Sequence, residues 1–254
     1  MRRLSAALFF LIVATAARGE WATISAKSEP SAVSGLEHRH LVLEDSATGD
    51  KVTIELALVS TKVATLRVID NPQGAASLAE AMSGAGLVAG VNGGYFDPAF
   101  APIGLRIMGG KLFRPLVRAK LLTGVLLSSP GTTQILRHGE YSPRRKAYAA
   151  VQCGPLLVDA SVPVKGLNRT RQARRTFAAV GGDRVVLGYC SGGSLAQLAE
   201  ILATAPLAEN FKVQRALNLD GGSSSAFWFK RSSGSAFSIS EYKNVRDFVG
   251  IAVK

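Results

Sequence analysis

Residues 51–60, KVTIELALVS, alternate apolar and polar side chains with a period of two, the pattern of a strand with one face turned to a core. The same alternation, or an unbroken apolar run of strand length, recurs at 39–43 and 63–68. It recurs again in GLRIM, GVLLS, TQILR, AYAAVQ, GPLLVD, RTFAAVG, RVVLGY, ALNLD, SAFWFK and RDFVGIAVK. Many of these runs stop at glycine, proline or small polar residues, so the strands are short and the chain must fold back on itself. SATGDK, between the first two strands, reads as a hairpin turn.

Helical periodicity is confined to two places. SLAEAMSGAGLVAG carries Leu78 and Met82 and feeds a buried strand at LVAGV. In SLAQLAEILATAP, Ser194 can cap a helix whose apolar face is Leu195, Leu198 and Ile201 or Leu202, with Pro206 beyond its end. Strands and helices do not alternate as βαβ units require. The expected class is therefore α+β, a strand-rich mixed or antiparallel curved sheet with a few flanking helices. No long linker or internal repeat divides the chain, and residues 17–254 are expected to form one domain.

The first residues, MRRLSAALFFLIVATAARG, set two arginines before an apolar run and end it at an A-x-A arrangement. This is the pattern of a secretory signal peptide spanning residues 1–16. The run falls short of the ~20 apolar residues needed to cross a bilayer. The expectation is an exported chain, periplasmic or extracellular, with no stable membrane span after cleavage. Lysine and arginine exceed the acidic residues, giving a formal charge of +12, and loss of Arg2 and Arg3 leaves 12 − 2 = +10. For an exported protein, that excess suits a phosphorylated glycan, a teichoic-type polymer or a membrane surface, and no nucleic-acid partner is expected. Cys153 and Cys190 leave one disulfide open in an oxidising compartment. His38, His40 and His138 show no zinc-ligand spacing with them. No cofactor is expected, and the metal requirement stays open.

Three glycine-marked segments stand where apolar strands end: NGGYFD, RRTFAAVGG and NLDGGSSS. Loops at strand ends concentrate binding and catalytic groups, and glycines let backbone amides approach an anion. Asn92 can donate to an oxygen and accept from a sugar hydroxyl, Gly93 and Gly94 can expose amides, Tyr95 can serve as a platform for a sugar ring, and Asp97 can act as acid or base or cap the loop. In NRTRQARRTF, a guanidinium suits the oxygens of a phosphate, yet strand alternation sends Arg174 and Arg175 to opposite faces, so one or two arginines are expected at a ligand. Asp220 sits before Gly221 and Gly222 as a catalytic carboxylate or an organiser of its loop, and Ser223, Ser224 and Ser225 can donate to phosphate or sugar oxygens. A serine nucleophile has neither G-x-S-x-G nor a nearby histidine to support it, and no Walker A lysine follows the glycines.

Taken in order, GVNGGYFD, VQCGPLLV, RRTFAAVG and ALNLDGGSSS resemble the phosphodiester glycosidase family, from about Gly90 to the C-terminus. The resemblance implies hydrolysis of a sugar joined through its anomeric carbon to a phosphodiester. It assigns Asn92, Asp97, Arg175 and Asp220 to the catalytic set. Substrate contacts would fall to Gly93, Gly94, Tyr95, Gln152, Gly154, Thr176, Gly221, Gly222, Ser223 and Ser224. Cys153 stands where a small residue is expected in the family. The implied substrate is a sugar phosphate or phosphorylated glycan of envelope or exopolysaccharide material. Two other readings stay open: an anionic-glycan-binding envelope protein without catalysis, and a phosphoesterase that cuts P–O.

Overall fold

The computed structural model describes residues 20–254, so the expected leader at residues 1–16 lies outside the described residues. Its strands form three sheets in which all named strand pairs are antiparallel. The largest has eight strands, in the order Trp21–Pro30, Leu36–Asp45, Lys51–Ser60, Arg184–Cys190, Arg175–Gly181, Arg215–Asn218, Leu156–Asp159 and Val162–Pro163. A second sheet of five runs Lys111–Arg114, Arg106–Met108, Ala149–Cys153, Gly124–Ser129, Thr132–Arg137. The third, also of five, runs Ala236–Ile239, Phe227–Lys230, Ala89–Asn92, Asp247–Val253, Ala64–Asp70.

The expected α+β class is not what forms. Only two α-helices occur among the described residues, Leu78–Gly84 and Leu195–Thr204, against three sheets, and the fold is mainly β. The physical reason lies in the core. Leu66, Val91, Leu126, Val151, Ala178, Leu217, Phe227 and Val249 come from all three sheets and close on one another in a single buried cluster. Sheet faces thus cover sheet faces, where the α+β expectation called for a layer of helices.

The two helices have outer duties. Each begins with a serine whose hydroxyl accepts from the third helical amide, with that third side chain returning the bond: Ser77 with Glu80, and Ser194 with Gln197. Leu195–Thr204 covers the far face of the large sheet through Leu198, Ile201 and Leu202. Leu78–Gly84 covers the third sheet through Leu78 and Met82. Gly90 makes that second contact possible, because a Cβ there would collide with the Met82 sulfur.

Antiparallel pairing determines which strand ends meet. Phe177 lies opposite Asn218, so the chain leaving Asn218 runs back beside Arg174–Thr176. Leu219 N–H donates to the Thr176 carbonyl at 2.8 Å and Gly222 N–H to the Arg174 carbonyl at 2.8 Å. Val91 lies opposite Phe227, so residues 219–226 bridge from the large sheet to the third. The second sheet reaches the same corner through Cys153 and Gly154.

Candidate active site

Asn92 ends a central strand of the third sheet with its side chain fully buried. Its amide nitrogen donates to the Asp220 carbonyl at 2.7 Å. Its Oδ1 accepts from the Thr176 hydroxyl at 2.7 Å and from Ala226 N–H at 3.0 Å. One side chain therefore ties the NGG loop to the RRT strand and to both ends of the DGGSSS loop. The three glycine-marked segments are thereby brought together at one corner of the fold.

Gly93 and Gly94 lie against a residue the sequence did not single out. Gly93 N–H donates to the Asp247 carbonyl at 2.8 Å, and Gly94 N–H to Asp247 Oδ1 at 2.9 Å. Asp247 Oδ2 takes Arg106 Nε at 2.8 Å, and both side chains are fully buried. The remaining Arg106 nitrogens donate to the carbonyls of Tyr95, Ile103, Leu105 and Gln152. A Cβ at Gly93 would collide with Asp247 and one at Gly94 with the Arg106 guanidinium. These glycines are required by close packing on a buried ion pair. The signal was readable: Arg106 and Asp247 are charges inside the apolar runs GLRIM and RDFVG, and a charge embedded in a buried strand needs a partner.

Gln152 is equally committed. Its Oε1 accepts from the amides of Leu105 and Val117, and its Nε2 donates to the carbonyls of Val117 and Leu122. It anchors the loop before Gly124. Gly154 packs against that loop where a Cβ would strike the Leu121 carbonyl. The Gly154 carbonyl accepts from Tyr95 Oη at 2.6 Å and from Asn218 Nδ2 at 3.0 Å, and Asn218 Nδ2 also reaches Tyr95 Oη at 3.1 Å. Burial, with the neighbouring Cys153 and Asp220, pushes the Tyr95 hydroxyl above its ordinary range, which keeps it a neutral donor.

Asp220 and Arg175 are two charged groups of this corner with bonding capacity left over. Burial raises the Asp220 carboxyl above its usual value, while the Ser224 hydroxyl, the Lys243 charge and the Gly221 amide pull it down, and Asp247 pushes it up. Gly221 N–H donates to Asp220 Oδ1 at 3.0 Å. Arg175 is only 7% exposed. Its Nε donates to the Gly193 carbonyl and its Nη2 to the Arg171 carbonyl, and among the described residues no carboxylate lies within ion-pair distance of it. Burial first, and then the Arg171 charge, lower its proton affinity, whereas Tyr95 and Cys190 raise it. A buried cation without an anion is an electrostatic vacancy for one.

Asp97 is placed differently. Its Oδ1 accepts from Ala101 N–H within its own turn, and it makes no hydrogen bond or ion pair with Asn92, Arg175 or Asp220. Arg174 turns away from Arg175, as alternation requires. It donates to the carbonyls of Ser225 and Ser240, and its guanidinium lies 4.0 Å from the Tyr242 ring centroid. Tyr242 N–H in turn donates to the Ser223 carbonyl at 2.7 Å, so residues 240–243 lie over the DGGSSS loop and bring the Lys243 charge to bear on Asp220. That segment carried no sequence signal. Ser224 and Ser225 hydroxyls are buried without a well-formed hydrogen bond, and Ser223 is exposed. Cys153 and Cys190 are both free and buried. Among the described residues no group of three or more His, Cys, Asp or Glu side chains is placed to hold a metal ion.

Residues 85–252 match the family model of phosphodiester glycosidase. A search of curated proteins finds no match. Among solved structures, the zebrafish N-acetylglucosamine-1-phosphodiester alpha-N-acetylglucosaminidase catalytic domain, auto-inhibited by its pro-peptide, superposes with a TM-score of 0.66. It is 16% identical over 91% of this chain and 89% of that one. A hypothetical protein from Synechocystis superposes with a TM-score of 0.62 at 15% identity, over 87% of this chain and 62% of that one.

Proposed function

The chain belongs to the phosphodiester glycosidase family, and from that premise we propose that it hydrolyses the anomeric C–O bond of a sugar-1-phosphodiester. Water adds to C1, the bond from C1 to the phosphate oxygen breaks with its electron pair going to that oxygen, and the products are free sugar and a phosphomonoester. The observation that supports this best is Arg175, a buried guanidinium with no carboxylate within ion-pair distance among the described residues, on the strand beside which the Asp220 loop runs.

The division of labour follows from charge. Departure of the phosphate builds cationic character on the sugar and negative charge on the leaving oxygen. Arg175 binds the phosphate, and the leaving oxygen needs little protonation because the departing phosphomonoester is a weak base. Asp220 faces the sugar carbon as its carboxylate, to stabilise the cation or activate water. Asn92, Thr176, Gly93, Gly94 and Gln152 hold the loops that position these two. The amides of Gly93, Gly94, Gly221 and Gly222 are already engaged within the protein, so the anion falls to the arginine rather than to a nest of backbone N–H groups. The protein is exported and acts on envelope or exopolysaccharide material, a reading supported by the leader pattern and the basic balance.

The test is release of free sugar from α-linked sugar-1-phosphodiesters in ¹⁸O water. Label in the sugar hydroxyl supports the proposal, and label in phosphate means that P–O is cut. Asp220→Asn should lower turnover on the order of 10²–10⁴-fold while substrate affinity is largely kept. A folded wild-type protein that binds these compounds but releases nothing is a binding module.

A further inference from the structure

Beside the candidate active site runs a groove of about 720 Å³, walled on one side by the loop through Lys120 and Leu121 and on the other by residues 162–168, with Pro155 on its floor. Its apolar surface is open: Leu121 is 66% and Val162 58% exposed. Two observations connect it with the site. Gly154, whose carbonyl receives Tyr95 and Asn218, directly precedes Pro155 and packs under Leu121. At the other wall, Asn168 Oδ1 accepts from Arg171 N–H at 2.7 Å, and the Arg171 carbonyl accepts from Arg175 Nη2 at 2.7 Å. The groove thus ends where the phosphate-binding arginine begins.

Its charge is of one sign. Asp159, the acid among its lining residues, is neutralised by Arg137 and Arg215. Lys120 and Lys165, both exposed, have no carboxylate within ion-pair distance among the described residues, and neither do Arg118 and Arg171 toward its two ends. A track of unpaired cations over an apolar floor complements a flexible chain that alternates anionic groups with carbon-rich units.

Resting on the glycosidase reading, we propose that this groove binds the aglycone arm of the substrate, and that the arm is a phosphodiester-linked polymer. One anionic repeat beyond the scissile linkage meets Lys120 and Lys165. The substrate class is then a polyanionic chain carrying sugar-1-phosphate branches or ends, rather than a small sugar phosphate.

The experiment uses the protein without its leader and a Lys120→Glu/Lys165→Glu variant. Arg144→Glu/Lys212→Glu, which makes the same change in net charge elsewhere, is the control. Binding is measured to poly(glycerol phosphate), with neutral dextran as comparison, and hydrolysis is measured on a sugar-1-phosphodiester with a methyl aglycone. The groove variant should bind poly(glycerol phosphate) at least tenfold more weakly, the control variant should bind it within twofold of wild type, and KM for the methyl substrate should stay the same. Equal losses in both variants, no loss in the groove variant, or dextran bound as tightly as the polymer would overturn the proposal. If no protein releases sugar from the methyl substrate yet the groove variant alone loses the polymer, the groove stands and the catalytic reading falls.

Discussion

Replacing Arg106 by methionine removes the partner of the fully buried Asp247 carboxylate while filling a similar volume. The carboxylate keeps Gly94 N–H but loses the one cation bonded to it among the described residues. Some of the carbonyls that Arg106 serves hold a second donor: Ile103 N–H reaches the Tyr95 carbonyl and Gln152 N–H the Leu105 carbonyl. Most of the cost is therefore the uncompensated charge, about 3–5 kcal/mol for one partner of a buried pair. For a domain of this size each kcal/mol lowers Tm by about 2–4 °C, so the loss is on the order of 6–20 °C. Urea unfolding followed through Trp21 and Trp228, both buried, reads the free energy directly. Arg106→Met/Asp247→Leu removes both charges and should recover a coupling of about 2 kcal/mol or more against the sum of the single variants, although Gly94 N–H is then left without its acceptor. A single-variant cost below about 1 kcal/mol, or strict additivity, would refute the role given to this pair.

The raised Asp220 pKa bears on both activity and stability. If its carboxylate form is the working one, kcat/KM falls on the acid side with a midpoint above the ordinary 3.8, and Lys243→Ala, which removes a lowering charge, moves that midpoint higher still; an unmoved or lowered midpoint contradicts the arrangement. For stability, a carboxyl whose folded pKa lies above its unfolded one costs the folded state progressively as pH rises from 3.8 through the raised value. Asp220→Asn should accordingly be neutral or stabilising in urea at pH 7, with any gain fading at low pH, and a clear destabilisation at pH 7 would mark Asp220 as a structural carboxylate. Asn92→Ala leaves the Thr176 hydroxyl and Ala226 N–H without their acceptor and should cost about 2–4 kcal/mol by urea unfolding, whereas a surface-like loss under about 0.5 kcal/mol would deny it the bracing role. Burial pushes the Cys153 thiol up to about 12 and Cys190 to about 11, so a thiol reagent at pH 8 should find no reactive group in the native protein and two in urea; rapid native labelling, or fewer than two thiols after unfolding, would count against this packing.

Period-two runs were sufficient to place most strands, because alternation is a local property that survives in a single chain. They did not reveal how the strands are grouped. LVAGV and RDFVGIAVK read alike whether they face a helix or another sheet, and only the clustering of Val91 and Val249 with Leu126 of the second sheet and Ala178 of the large one decides for sheets on sheets. Within the site, Asn92, Arg175 and Asp220 were visible as polar groups at strand ends. Asn218 was not singled out, lying inside an apolar run and joining the bonds around the site only because antiparallel pairing carries it to Gly154 and Tyr95. Lys243 and Tyr242 were invisible for a similar reason: SEYKN has no pattern, and its importance comes from Arg174 and Ser223 holding it over the DGGSSS loop.

The glycines of NGG and DGG invite the thought of an anion cradle, and the structure argues for a different use. Gly93 and Gly94 are small because Asp247 and Arg106 occupy the space a side chain would need, and the Gly94 amide donates to the buried Asp247 carboxylate. The corner is thus stiffened by a fully buried salt bridge, and Arg175 is without a carboxylate partner among the described residues. A flexible guanidinium without a partner would turn to water. One held by the Gly193 and Arg171 carbonyls is fixed in place, and under the proposed function it would lose little conformational freedom on binding the phosphate. Under the proposed function, Asn92, Thr176 and Gln152 hold the loops that carry a cation and a carboxyl, the two charges called for by a reaction that builds positive charge on a sugar and negative charge on a phosphate.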